Sequence, residues 1–327
     1  MERELAQAQD GPDAVGASAT AAIAGRVIEN LKRVMHAPDE TLQLAVYCLL
    51  SEGHLIIEDF PGVGKTTLAK ALARSVHCSF SRLQFTPDLL PSDVTGVNVF
   101  SQRSNEFEFR PGPVFTNLLL VDEINRASPK TQAALLECMQ EHQVTVDGVS
   151  YQLERPFMVL ATQNPIEYEG TYPLPEAELD RFTMRISIGY PQLADEARLL
   201  TEQTGREPLD DLEPVVGREE VLAAIDEARN VFVEESLNRY IVALLRNTRS
   251  DNRLYLGASP RAGIALLRVA KSRALTDGRD YVSPEDVKAV AAAVLAHRLI
   301  MAPEARSSGL DAAGLVEDTL ERTPVPV

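Results

Sequence analysis

The feature that most constrains this chain is an apolar, strand-like run followed by a glycine-containing turn and a helical pattern. Residues 54–57 lead into the segment Asp59-Phe60-Pro61-Gly62-Val63-Gly64-Lys65-Thr66-Thr67, and Leu68-Ala69 begin the helical pattern. Glycines let backbone N–H groups close around an anion, and the dipole of a helix N-terminus favours negative charge. We therefore expect a phosphate-binding loop made of Asp59 and residues 61–67.

Two side chains of this loop suit a nucleotide triphosphate. Lys65 would place a positive charge on the β- and γ-phosphates, and the hydroxyl of Thr66 would bind Mg²⁺. One position departs from the general pattern, because Asp59 stands where the first glycine is usual. A turn that binds no ligand is the alternative, but the strand before it and the helix after it favour a site for ATP and Mg²⁺.

An acidic pair ends a second apolar run. Residues 118–121 are continuously apolar, which is typical of a buried central strand, and Asp122 and Glu123 follow them. Taken alone, this pattern often marks only a strand that meets solvent. Because it follows a phosphate-binding loop, we expect Asp122 to hold Mg²⁺ and Glu123 to orient or deprotonate the attacking water.

The pattern of apolar runs predicts two domains, in line with a length of 327 residues. Short strand-like runs alternate with helical patterns up to residue 190, which indicates a parallel sheet flanked by helices. Two hairpin-like insertions interrupt this region, around residues 96–109 and 144–153. We predict flexible tails over residues 1–20 and 306–327, an αβα core over 21–190 and a smaller, all-helical domain over 191–305.

Charge and cysteine content exclude some classes of protein. The chain has 32 basic and 48 acidic residues, a net charge of −16, which disfavours a dedicated nucleic-acid binder. Cys48, Cys78 and Cys138 show no metal-site spacing, which favours a reduced, cytoplasmic setting. The amino terminus lacks the layout of a secretory signal, and no apolar run is long enough for membrane insertion.

Five ordered motifs together resemble the MoxR type of AAA+ ATPase. They are Lys65-Thr66, Asp122-Glu123, Ala161-Thr162-Gln163-Asn164-Pro165, Leu179-Asp180-Arg181-Phe182 and Gly257-Ala258-Ser259-Pro260-Arg261. The resemblance extends over about residues 25–300, and in that family an acid commonly takes the place of Asp59. It implies an AAA+ core with a helical lid, and ATP hydrolysis coupled to chaperone-like remodelling or assembly of client proteins, including partners with von Willebrand factor type A domains. It also implies a homo-oligomeric ring, expected to be a hexamer.

The resemblance assigns roles to two residues of the core. Asn164 is then the sensor that helps to position the attacking water, whereas capping of the Asn164-Pro165 turn is the alternative. Arg181 is then an arginine finger that reaches the γ-phosphate held by a neighbouring subunit. The alternative for Arg181 is a surface salt bridge with Asp180.

By the same resemblance, Arg261 is the second sensor, which is carried on the lid and touches the γ-phosphate. Ser259 as N-cap and Pro260 in the first turn predict a helix start just before it. A cation there opposes the helix dipole, so a negatively charged ligand explains it better than helix stability does. Packing of the arginine stem on the lid is the alternative.

Two further functions and one structural question stay open in the sequence. A nucleotide-gated scaffold with vestigial hydrolysis is disfavoured by the presence of Glu123, and a nucleic-acid motor is disfavoured by the charge of −16. In the insertions, Phe100, Phe107 and Phe109 either pack within the domain or project towards a ring pore and contact clients.

Overall fold

The computed structural model describes residues 12–164, 171–190, 196, 208–307 and 309–325. The strands are β1 (Leu55–Glu58), β2 (Phe80–Gln84), β3 (Gly96–Ser101), β4 (Glu106–Pro111), β5 (Leu118–Asp122), β6 (Gln143–Val146), β7 (Val149–Gln152), β8 (Met158–Gln163), β9 (Met184–Ile186), β10 (Leu254–Leu256) and β11 (Ile300–Met301). The helices are α1 (Pro12–Lys32), α2 (Asp39–Leu50), α3 (Lys65–Ser75), α4 (Pro91–Thr95), α5 (Pro129–Glu141), α6 (Glu176–Leu179), α7 (Arg218–Asn230), α8 (Glu235–Ser250), α9 (Pro260–Thr276), α10 (Pro284–Leu295), α11 (Pro303–Ser307) and α12 (Ala312–Arg322). Among the described residues, no helix combines the length and apolar composition needed to cross a membrane.

A parallel sheet in the order β2-β5-β8-β1-β9 forms the centre of the first domain. Successive side chains of a strand point to opposite faces, and both faces are covered here. Ile57 packs towards α2 and α3, whereas Ile56 packs towards α5. This doubly covered sheet confirms the predicted α/β fold class, and it brings the chain segments that follow β1, β5 and β8 to one edge.

The two insertions are hairpins, β3–β4 and β6–β7, and they lie side by side. The ring of Phe109 stacks on Tyr151 with centroids 4.1 Å apart, and the Asn98 amide donates a 2.6 Å hydrogen bond to Asp147. Phe100 and Phe107 form an exposed cross-strand pair nearer the tip of β3–β4. Phe109 therefore packs within the domain, while the other two aromatic residues project into solvent.

Within its described residues, the second domain is helical except for one short antiparallel pair, β10 with β11, and a single parallel bridge between Phe232 and Tyr281. The sequence analysis, which predicts an all-helical domain, does not find this pair, because strands of two or three residues are too short to give a periodic pattern. Residues 191–195 and 197–207, where this domain is predicted to begin, lie outside the described residues.

Both predicted tails differ from the structure where it describes them. Residues 12–20 belong to α1, and residues 1–11 lie outside the described residues. In the predicted carboxy-terminal tail, helix α12 buries Leu315 and Val316 against the lid. Arg253 ion-pairs with Asp318 of this helix, so α12 is part of the second domain.

Candidate functional site

The predicted phosphate-binding loop has the backbone conformation that an anion site requires. Gly62 and Gly64 have φ angles of +84° and +93°, which L side chains rarely adopt. Gly64 is the N-cap of α3, and Val63 is buried and anchors the loop between the two glycines. The N–H groups at the start of α3 therefore face the mouth of this loop.

The side chains of the first turn of α3 surround the same space. The Lys65 ammonium donates a hydrogen bond of 2.5 Å to the carbonyl oxygen of Asp59, so it closes the loop from inside. Thr66 and Thr67 are half-buried in that turn. Positive charge, hydroxyl groups and helix N–H groups thus converge at the carboxyl end of β1.

Asp59 fastens the loop to the segment that follows β9. Its carboxylate accepts hydrogen bonds from the backbone N–H groups of Phe60, Ile188 and Gly189 and from the Ser187 hydroxyl, at 2.7 to 2.9 Å. Burial alone would raise the pKa of Asp59, but these donors outweigh burial and hold the pKa below its usual value. The sequence places Asp59 among the nucleotide-binding residues. In the structure, its carboxylate accepts hydrogen bonds from backbone N–H groups and from the Ser187 hydroxyl.

Asp122 ends β5 and is buried. One carboxylate oxygen accepts a 2.6 Å hydrogen bond from Arg82, and the other accepts one of 3.2 Å from the Thr162 hydroxyl. Carboxylate and hydroxyl oxygens are ligands that Mg²⁺ prefers, and Asp122 together with Thr66 offers such a set. The chemistry of the side chains present therefore fits a magnesium ion.

Glu123 adopts a left-handed backbone conformation, with a φ of +56°. Its N–H donates to the Thr162 hydroxyl at 2.9 Å, which links its position to that of Asp122. Its carboxylate accepts a 2.7 Å hydrogen bond from Gln84 and forms an ion pair with Arg126 at 3.1 Å. Two donors thus fix the direction of the predicted base.

Asn164 follows β8, the strand that lies between β5 and β1. The last residue of β8, Gln163, is in register with Glu58, and its carbonyl oxygen accepts from the Asp59 N–H at 3.2 Å. Asn164 therefore emerges between the acidic pair and the phosphate-binding loop. Pro165, which completes the alternative turn interpretation, lies outside the described residues.

Arg181 lies at the amino-terminal ends of the parallel strands, opposite the carboxyl ends that carry the phosphate-binding loop, because it precedes β9, which runs parallel to β1. It lines a cavity of about 150 Å³ at the boundary between core and lid. Arg261 and Arg268 from the lid line the same cavity. Within the described residues, no hydrogen bond or ion pair involves the guanidinium of Arg181 or of Arg261.

The salt bridge that the sequence offers as an alternative for Arg181 is not formed. The Asp180 carboxylate accepts instead from Arg298 at 2.7 Å and from the Ser259 hydroxyl at 3.0 Å. Ser259 is also the N-cap of α9, as predicted, because its hydroxyl accepts from the N–H of Ala262. Asp180 therefore ties the start of α9 to the core and sets Arg261 beside Arg181, far from the phosphate-binding loop of its own chain.

His54, a buried histidine that lines this cavity, connects β8 to α5 through hydrogen bonds. Nδ1 of His54 accepts from the Val159 N–H at 3.0 Å, and its Nε2 lies 3.1 Å from the Met139 carbonyl oxygen, to which it donates. Burial lowers the pKa of His54 to about 4. Sequence reasoning assigned no role to this residue, to Thr162 or to Gln84, since single polar residues in or beside apolar strands carry no periodic signal.

Comparison with known proteins agrees with this geometry. Residues 54–184 match the ATPase family associated with various cellular activities, and residues 246–319 match the AAA lid domain. The uncharacterized protein YeaC of Bacillus subtilis is 48% identical over 93% of this chain and 95% of its own length. Chaperone MoxR1 of Mycobacterium tuberculosis is 39% identical over 92% of this chain and 82% of its own length.

A solved structure extends the agreement to three dimensions. The crystal structure of a candidate ATPase from Cytophaga hutchinsonii superposes with a TM-score of 0.88 at 38% identity, and the match covers 96% of this chain and 98% of that one. The motifs, the strand order and these relatives lead to one conclusion: this chain belongs to the MoxR family of AAA+ ATPases.

Proposed function

We propose that this protein hydrolyses ATP with Mg²⁺ at a site completed by two subunits. One observation carries the proposal: the phosphate-binding loop and the acidic pair lie at one edge of the sheet, whereas Arg181 and Arg261 lie at the other. A single chain therefore holds the two halves of a site apart. A head-to-tail ring of identical chains would join the halves at every interface.

Within one subunit, the loop residues bind and orient the nucleotide. The N–H groups around Gly64 and the ammonium of Lys65 would hold the phosphates, and Thr66 with Asp122 would hold Mg²⁺, which neutralises charge on the phosphate oxygens. Glu123 would take the proton of the attacking water. Asn164, placed between the two halves of this edge, would orient that water.

The neighbouring subunit would supply the missing positive charge. Arg181 and Arg261 are held close together at the edge of the core and the lid, and Arg268 adds a third guanidinium to the same cavity. Guanidinium groups stabilise the charge that develops on a transferred phosphoryl group. Both arginines would thus act on ATP bound to the next chain.

Hydrolysis in such a ring would serve the remodelling or assembly of client proteins. The description of the Mycobacterium tuberculosis relative as a chaperone supports this use. The exposed Phe100 and Phe107 offer an aromatic contact for a client. The family resemblance adds a hexameric ring and clients with von Willebrand factor type A domains to the proposal.

Two substitutions test the proposed chemistry. Lys65→Ala should abolish ATP binding, while Glu123→Gln should bind ATP normally and hydrolyse it roughly a hundredfold or more slowly. Lys130→Ala, at an exposed position of α5, is the matched control and should leave both unchanged. Hydrolysis by Glu123→Gln at the wild-type rate, or hydrolysis that survives chelation of Mg²⁺, would contradict the proposal.

A further inference from the structure

The lid carries an apolar groove that no element of the described chain fills. It lies between α8 and α9 and has a volume of about 350 Å³. Its lining includes Ile241, Val242, Leu245, Gly263 and Ile264. Val242 and Ile264 are 52% and 55% exposed, and a concave apolar patch of this kind indicates an interaction surface.

This groove adjoins the cavity that contains the two arginines. Ile264 lines both, one turn along α9 from Arg261. Whatever contacts Arg261 from outside must therefore lie next to the groove.

The opposite edge of the core carries an exposed aromatic pair. The rings of Phe60 and Tyr190 stack with centroids 5.6 Å apart and an interplanar angle of 18°. Phe60 is 37% and Tyr190 66% exposed. Phe60 lies between Asp59 and Pro61 of the phosphate-binding loop, two residues before Gly62, so the pair flanks the mouth of the anion site.

We propose that the Phe60–Tyr190 pair of one subunit docks into the lid groove of its neighbour. The proposal rests on the proposed function, in which Arg181 and Arg261 reach the phosphates of the next chain. The surface beside Arg261 then faces the surface beside the phosphate-binding loop.

The sizes of the two surfaces agree. In other proteins, a buried apolar cavity of about 150 Å³ holds one benzene ring. The lid groove of about 350 Å³ therefore has room for two rings. Aromatic rings lodged in an apolar pocket are typical of the residues that dominate interface stability. The pair would thereby cover one side of the ATP site. Because Phe60 lies between Asp59 and Pro61, docking of the pair would also restrain the loop that holds the nucleotide.

A cross-linking experiment tests this contact directly. A chain with Tyr190→Cys and Val242→Cys is treated with a short bismaleimide in the presence of Mg²⁺ and a non-hydrolysable ATP analogue. We expect covalent dimers and a ladder of higher oligomers from this chain, and neither from the two single variants, which also report any background from the half-buried Cys78.

The matched control pairs Tyr190→Cys with Val149→Cys, an exposed position on the hairpin β6–β7. It should yield no ladder. A Tyr190–Val242 pair that cross-links no better than this control or the single variants would overturn the proposal.

A second variant separates docking from chemistry. Ile264→Glu places a charge in the groove at an exposed position, so the chain should unfold at the wild-type temperature but assemble about tenfold more weakly, while Ile264→Leu assembles normally. Unchanged assembly of Ile264→Glu would overturn the docking. If Tyr190→Ala weakens ATP binding to a single subunit and leaves assembly intact, the pair contacts the nucleotide base and the proposal is wrong.

Failure of the proposed function is recognised separately. Arg181→Ala should lose hydrolysis and keep the Tyr190–Val242 cross-link. Hydrolysis that persists in this variant contradicts the shared active site, whereas a missing cross-link in a chain that still needs Arg181 contradicts only the docking.

Discussion

The side-chain amide of Gln84 donates a hydrogen bond of 2.7 Å to the carboxylate of Glu123. Gln84 is the last residue of β2, and the N–H of Phe85, the next residue, donates to the Asp122 carbonyl oxygen at 2.9 Å. From there the chain runs through α4 into the hairpin that bears Phe100. A contact at this hairpin is thus connected along the chain to Gln84, and from Gln84 by one hydrogen bond to the proposed catalytic base.

We predict that Gln84→Ala raises the basal rate of ATP hydrolysis. The Gln84 amide occupies an oxygen of the Glu123 carboxylate, so its removal should leave that oxygen more available to accept the proton of the attacking water. A hydrogen bond to a charged group contributes about 1.5 to 3 kcal/mol, which corresponds to an increase of about tenfold or more. Steady-state hydrolysis measures the effect, with Gln102→Ala in the exposed hairpin loop as the control. A lower rate would mean that Gln84 positions the base instead.

Mixing two inactive variants should restore hydrolysis. Arg181→Ala keeps the phosphate-binding loop and Glu123, and Glu123→Gln keeps Arg181, so an interface that joins the intact halves is complete. Random equal mixing makes about a quarter of the interfaces complete, and the recovered rate should approach that fraction if the sites act independently. Absence of recovery while labelled subunits demonstrably exchange would speak against an arginine that acts in trans.

We predict that Thr162→Val slows hydrolysis by about tenfold or more, as is usual when a group that orients a metal ligand is lost. The Thr162 hydroxyl lies between the Asp122 carboxylate and the Glu123 N–H, so valine leaves both without this partner. Thr162→Ser retains the hydroxyl and should restore the rate. The Mg²⁺ concentration needed for half-maximal rate should rise in the valine variant. Equal Mg²⁺ requirements in all three proteins would rule out this positioning role.

Acid should destabilise the fold through His54. Its pKa is about 4 in the folded chain, compared with 6.5 for an ordinary histidine. The unfolded chain therefore binds more protons between these values, and stability that is present above pH 6.5 is lost as the pH falls towards 4.

The expected loss from His54 is ~2 kcal/mol in the free energy of unfolding between pH 7 and pH 5. Urea unfolding of the wild type and of His54→Gln at both values isolates this contribution. The variant should be less stable at pH 7 and show a smaller loss at pH 5. An equal loss in both proteins would assign the acid sensitivity to other groups.

Much of the core could be predicted from the sequence because its strands are buried on both faces and therefore continuously apolar. The runs that end at Asp122 and before Asp59 indicated the sheet edge at which the structure gathers the polar residues. The predicted N-cap Ser259 is confirmed, since a cap depends on local backbone geometry.

Long-range partners could not be predicted in this way. Nothing adjacent in the sequence indicates that Asp59 binds the backbone N–H groups of residues 188 and 189, or that Asp180 pairs with Arg298 and not with Arg181. Such contacts depend on how the strands and the lid are stacked. Helix α12 was missed for a similar reason, because its buried apolar residues, Leu315 and Val316, gain their packing only against the lid.

The carboxylate of Asp180 has a mechanical consequence. It holds the start of α9 through Ser259 and the turn after α10 through Arg298, so rotation of the lid relative to the core would break two hydrogen bonds at once. Each subunit then behaves as a stiff link with a pocket at one end and arginines at the other. In the proposed ring, the hinges would lie between the chains, and a change of nucleotide at one site would reach the next site through rotation of a whole subunit.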